Sequence, residues 1–225
     1  MHTRKQRPVV TEGCPPLAGI LLAVSLGLVA VAVQCIHGFP EVLQWRRSDG
    51  AEWTLLTSHL CHWSWNHLGW DLFAFGLLSL LCLRLIPSRY AICLLVSAVL
   101  IPLEVQLNQP LIESYRGLSG LDTALMGLLV AALWRRSGDG RPCGPSQWLA
   151  LVGGGGFLAK TLYELTTGDA VFVAVAGEPF VTVISAHLVG FVSGFLVGLS
   201  EVRFDRVAGL RLALPSSQQQ SCHPE

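Results

Sequence analysis

A chain of 225 residues in which 52% are hydrophobic and only 13% charged is not made for water alone, since a soluble domain carries roughly 25% charged residues. Its formal net charge of zero excludes a bulk electrostatic attraction to nucleic acid, so what matters is where the charges sit. They sit between apolar blocks close to the roughly 20 residues that cross a bilayer as a helix, which places the chain among polytopic membrane proteins.

In chain order, residues 1–16 form a basic leader carrying Arg4, Lys5 and Arg7. The apolar run that follows, about 17 to 37, is too long for the core of a signal peptide and has no small-residue cleavage site, so it reads as a retained first span. Residues 38–62 are a long connection in which Trp45 and Trp53 alternate with charges, with Trp63 just beyond. Tryptophan favours the membrane interface, so a short amphipathic element is expected there, anchored by Trp53 and Trp63. Further spans are predicted at about 67–86, 90–107, 117–134, 146–164 and 181–200, giving six in all. Pro102 and Glu104 interrupt the third, and the four glycines at 153–156 loosen the fifth. The membrane domain thus covers 17–204, and 205–225 is a polar tail.

Short cytoplasmic loops retain Lys and Arg. With the N-terminus inside, Arg4, Lys5, Arg7, Arg84, Arg89, Arg135, Arg136, Arg141, Arg203, Arg206 and Arg211 are cytoplasmic, while only Arg46, Arg47 and Arg116 lie outside. Lys160 falls within a span, and the loop of about 165–180 carries only acidic charges, Asp169 and Glu178. The seven cysteines form no CxxC pair and read as small apolar fillers. Cys35 and Cys61 share the outer side, where a disulfide between them is allowed.

Ionisable residues inside spans are expensive and are functional candidates by default. Three clusters qualify: His59, His62, His67 and Asp71 at the start of the second span; Gly117, Ser119, Gly120 and Asp122 at the start of the fourth; and Ser185 and His187 at the start of the sixth. These spans all run from outside to inside, so all three clusters lie at the outer ends, and at about 1.5 Å per residue Ser119 and His187 sit at comparable depth. Ser119 lies between glycines that permit close approach of a substrate, at a helix start whose amides are open to an oxyanion. A serine nucleophile needs a base in hydrogen-bond reach. Gly190, Gly194 and Gly198 recur every four residues and, facing Ala124 and Gly127, allow the backbone contact that brings His187 to Ser119.

Gly117-Leu-Ser119-Gly120 followed by Ala124 and Gly127, Ala186-His187 with Gly190 and Gly194, and His62 and His67 in their spacing behind Trp53 resemble the rhomboid proteases over about residues 50–200. The resemblance implies an all-α fold, a six-transmembrane-helix rhomboid-like bundle, and intramembrane serine proteolysis with no cofactor. Ser119 would attack the scissile carbonyl and His187 would carry the proton, as a dyad. His67 would donate to the oxyanion with the Ser119 amide, and His62 would be a structural or water-site histidine. Asp71 stands where the family usually has Asn, and Thr123 where many relatives have a Tyr packed on the catalytic His. Tyr115, Arg116 and the Asp122 continuation are similar to the rhombosortase branch of bacteria, whose substrates are exported proteins anchored by a C-terminal Gly-Gly sorting tail. Asp71 would be neutral and donate to the oxyanion, or would orient His67; Asp122, on the turn below Ser119, would tune the dyad or be a structural hydrogen-bonding group. The partners so implied are membrane-anchored protein substrates and the bilayer of the bacterial inner membrane, with the active site open to the periplasm.

Two other readings use the same residues. His67 and Asp71 at i and i+4, joined by His62 and His187, form a ligand set for a metal or haem, which leaves the Gly-Leu-Ser-Gly motif without a purpose. A rhomboid relative that binds transmembrane segments without cutting them accommodates the altered Asp71 and Thr123, yet keeps an intact Ser119 and His187.

Overall fold

The computed structural model describes residues 15–48, 51–136, 144–168, 171 and 183–200. The basic leader, the tail, and most of the 165–180 loop lie outside the described residues. Six long helices carry the fold: α1 (Leu17–Cys35), α4 (Trp65–Leu85), α5 (Pro87–Asn108), α6 (Ser119–Arg135), α7 (Pro145–Thr167) and α8 (Ile184–Leu199). Between α1 and α4 the chain forms the short helices α2 (Phe39–Leu43) and α3 (Thr54–Thr57), with a 3-10 turn at Ser58–Leu60. A two-residue strand β1 (Trp45–Arg46) pairs antiparallel with β2 (Ser114–Tyr115), Trp45 opposite Tyr115.

Helices α1, α4 and α5 are each long and apolar enough to cross a membrane, with mean hydropathies of 2.4, 1.7 and 2.0. The chain is therefore an integral membrane protein. Helix α6 is the central post. Its apolar residues are buried around most of its circumference, including Leu121, Leu125, Leu128 and Ala131, the signature of a helix surrounded by others. Large apolar side chains on the outer faces, such as Leu21 and Leu28 of α1 and Trp148 and Leu162 of α7, remain exposed, as a lipid-facing surface requires.

Polar groups tie the ends. At one end Arg89 donates to the Val197 carbonyl at 3.0 Å and Arg135 to that of Leu199 at 2.6 Å, so the last turn of α8 has its free carbonyls met by cations. At the other end Arg47 donates to the carbonyls of Val105, Gln106, Gln109 and Ile112 at 2.8–3.2 Å, closing the end of α5. Arg116 reaches Gln44 Oε1 at 2.6 Å and lies 4.3 Å from the Trp63 ring centroid. Trp63 is thereby in contact with the protein, whereas Trp53 is exposed and Trp45 buried.

The sequence marked α5 as interrupted, but it runs unbroken through Pro102. A proline inside a helix deprives the carbonyl four residues earlier of its partner. That carbonyl belongs to Ala98, and His59 Nε2 sits 3.1 Å from it. Burial pushes the His59 pKa below its ordinary value, so the ring is neutral and its Nε2–H serves as the missing donor. Replacing His59 by Leu should cost about 1–3 kcal/mol, the penalty of an orphaned buried acceptor. In a Pro102→Ala background most of that cost should vanish, because the helix then satisfies Ala98 itself; thermal unfolding in detergent of the four proteins reads the coupling. Glu104, the other suspected interruption, is held by Gln109 Nε2 at 3.0 Å.

Among the described cysteines Cys61, Cys82 and Cys93 are buried fillers, and the disulfide allowed at Cys35 and Cys61 is not formed: both are free thiols, Cys35 exposed and Cys61 buried. Cys82 and Cys93 also donate weakly, to the Leu125 and Ala124 carbonyls of α6 at 3.4 and 3.6 Å.

Candidate active site

Ser119 opens α6, and the residues before it explain why its hydroxyl faces a cavity. Gly117 has φ of +126°, a conformation that side-chain-bearing residues rarely adopt. A Cβ there would also lie 3.2 Å from the His67 ring. The turn is pinned by its amides: Gly117 N–H donates to the Ser58 carbonyl at 3.1 Å, and Leu118 N–H to His62 Nε2 at 3.3 Å. The next amides, beginning with that of Ser119, fall in the first helical turn, where the helix offers no acceptor.

His187 lies in the first turn of α8, and its Nε2 is 3.0 Å from Ser119 Oγ. The residues are 68 positions apart; the glycines make the meeting feasible. A Cβ on Gly194 would overlap the Ala124 carbonyl, one on Gly190 the Gly120 carbonyl, one on Gly198 the Ala131 methyl, and one on Gly127 the backbone of Phe191. With hydrogens in their place, α6 and α8 touch backbone to backbone. Thr123 turns its hydroxyl to the Gly120 carbonyl of its own helix at 2.8 Å, and a Cβ on Gly190 would press against it.

The third cluster forms around Asp71. Ser64 caps α4, accepting from the His67 amide at 3.1 Å, which sets His67 and Asp71 on one face a turn apart. Asp71 Oδ2 lies 3.2 Å from His62 Nε2 and 3.3 Å from His67 Nε2. Burial depresses the pKa of His62, so the ring is neutral and its Nε2 plays one of two parts: as acceptor it takes the Leu118 amide, as donor it gives to Asp71. His67 directs Nε2 at Asp71, the arrangement of a ring being oriented by the carboxyl.

Ser119, His187, His67 and Asp71 line a cavity of about 920 Å³ whose apolar walls come from Trp70 and Phe73 of α4, Met126 of α6 and Phe157 of α7. Among the described residues no three His, Cys, Asp or Glu side chains take up metal-ligating geometry; His187 faces Ser119 while His62 and His67 face Asp71.

A family model described as Rhomboid domain matches residues 49–204. The chain is a rhomboid. It belongs to a family that is generally one of intramembrane serine proteases, and the matched stretch begins after α1 and holds the Ser119, His187 and Asp71 clusters. Among curated proteins none matches the chain.

The rhomboid site adds to the sequence reading in two places. Asp122 is buried, and its Oδ1 has no hydrogen-bond partner among the described residues. Glu164 of α7 was missed. It is buried, receives Lys160 Nζ at 2.7 Å on both oxygens, and places Oε2 3.7 Å from His187 Nδ1. Its signal was legible in principle: Lys160 and Glu164 stand at i and i+4 in an apolar span, where a charge is seldom without a purpose.

Proposed function

We propose that this rhomboid is an active intramembrane serine endopeptidase that cuts membrane-anchored proteins with Ser119 and His187. The observation that carries the reading is the 3.0 Å contact between His187 Nε2 and Ser119 Oγ at the edge of an apolar cavity. His187 takes the hydroxyl proton as Oγ bonds to the scissile carbonyl carbon, and gives it to the departing amine as the C–N bond breaks. Water then repeats the sequence on the acyl-enzyme: its proton passes through His187 back to Ser119 Oγ, and the new carboxyl terminus leaves. The free first-turn amides of α6 stabilise the oxyanion in both halves, helped by the α6 dipole.

All six long helices span the inner membrane in this reading, with the N-terminus and the Arg89 and Arg135 end in the cytoplasm and the active site towards the periplasm, in keeping with the distribution of basic residues. The domain covers 17–204. Tyr115, Arg116 and Asp122 resemble the rhombosortase branch, so the substrate proposed is the C-terminal Gly-Gly sorting tail of an exported protein, its transmembrane segment lying against the apolar walls from α4 and α7. Fluorophosphonate labelling of membranes, with Ser119→Ala as control, tests the nucleophile.

Asp71 has a part of its own in the oxyanion site. Either it contributes directly as a neutral donor, or, as its contact with His67 favours, it orients that ring. Asp71→Asn should therefore retain or raise labelling, since an amide keeps both an acceptor for His67 and a donor for the oxyanion. Asp71→Leu should lower it about 10²-fold, the scale of one lost oxyanion group. Near-complete loss in the Asn variant would show that the carboxyl is required as such.

A further inference from the structure

We propose that Glu164 is a positioning residue for His187, so that the working unit is Ser119–His187–Glu164 and not a dyad. This deepens the protease reading and rests on it. His187 Nδ1 is buried and has no hydrogen-bond partner among the described residues, an unusual state for a polar atom in a protein interior. Glu164 Oε2 faces it at 3.7 Å. Catalytic hydrogen bonds are commonly long before substrate binds and tighten in the reacting complex.

The carboxylate is held for this purpose from the other side. Lys160 Nζ contacts both oxygens at 2.7 Å, and the Val171 amide reaches Oε1 at 3.4 Å. Helix α7 is in turn set against α8 by Phe157 and Phe191, whose rings stack 4.3 Å apart at 4°. Phe157 and Glu164 are two turns apart on α7, Phe191 and His187 one turn apart on α8, so the aromatic stack and the acid–imidazole pair lie on the same facing surfaces.

The chemical consequence is a tautomer. A carboxylate opposite Nδ1 favours the proton on Nδ1, which leaves the Nε2 lone pair for Ser119 Oγ–H; it also stabilises the imidazolium that forms when His187 takes that proton. Glu164 itself stays ionised throughout, and the proton remains on His187 until it passes to the leaving amine.

Saturation kinetics of fluorophosphonate labelling of the full-length protein in detergent separate the reaction step from probe binding. Glu164→Gln should lower the labelling step about 10²-fold or more with the probe's half-saturation unchanged. Added to His187→Ala it should have no further effect, because it acts through that ring. The Lys160→Gln/Glu164→Gln double variant, which leaves no ammonium without its counter-charge, should be as slow as Glu164→Gln alone. The proposal is overturned if folded Glu164→Gln labels within about twofold of wild type, or if the double variant regains the wild-type rate, which would make Glu164 only the neutraliser of Lys160. Labelling that persists in Ser119→Ala would instead overturn the protease reading beneath it.

Discussion

Ser119→Ala should abolish fluorophosphonate labelling and proteolysis together while leaving the melting temperature in detergent close to wild type. The change removes one oxygen, whose described hydrogen bond is to His187 Nε2 at 3.0 Å, so little packing is lost. The chemistry loses everything covalent. Removing the nucleophile of a serine protease lowers kcat by about 10⁶-fold, and His187→Ala should be almost as damaging, because the two act as one unit and their effects do not add. Retained labelling in Ser119→Ala would show that another nucleophile reacts. Absent labelling in a well-folded wild type would favour a relative that binds transmembrane segments without cutting them.

Gly194→Val should be the most damaging substitution away from the chemistry. The added Cβ would overlap the Ala124 carbonyl, and no rotamer change relieves a clash with backbone. Overpacking in a tight core commonly costs about 1–3 kcal/mol; here α8 must move away from α6, which points to the exceptional range of 4–5 kcal/mol or more. The movement also draws His187 from Ser119, so labelling should fall even in protein that remains folded at low temperature. Gly194→Ala meets the same carbonyl with less bulk and should lie between. Equal melting temperatures for wild type and the Val variant would show that α6 and α8 are not in contact as described.

Much of this was readable in residues alone. The six apolar runs appear as helices within a few residues of their expected bounds, since in a bilayer a long apolar stretch has no better way to satisfy its backbone than a helix. Small residues every four positions on α8 mark the face of closest approach for the same reason: without a hydrophobic force between helices, packing decides. What was not readable are pairings between distant positions. Pro102 looked like a break because nothing near it in sequence could serve Ala98; the donor, His59, comes 39 residues earlier. Trp45 and Tyr115 pair through strands of two residues each, too short to leave a pattern. The disulfide that topology allowed at Cys35 and Cys61 is not formed: one thiol is exposed and the other buried.

The sequence by itself determined that the chain lives in a membrane and that serine, histidine and carboxyl groups cluster at the starts of three of its apolar segments. Only the tertiary structure decided which of them meet: His187 with Ser119, Asp71 with two histidines, and Glu164, from a helix read merely as a span, with the far side of His187. Apolarity is a local property that each segment carries alone, whereas a hydrogen bond depends on distances of about 3 Å that exist only once backbones are packed.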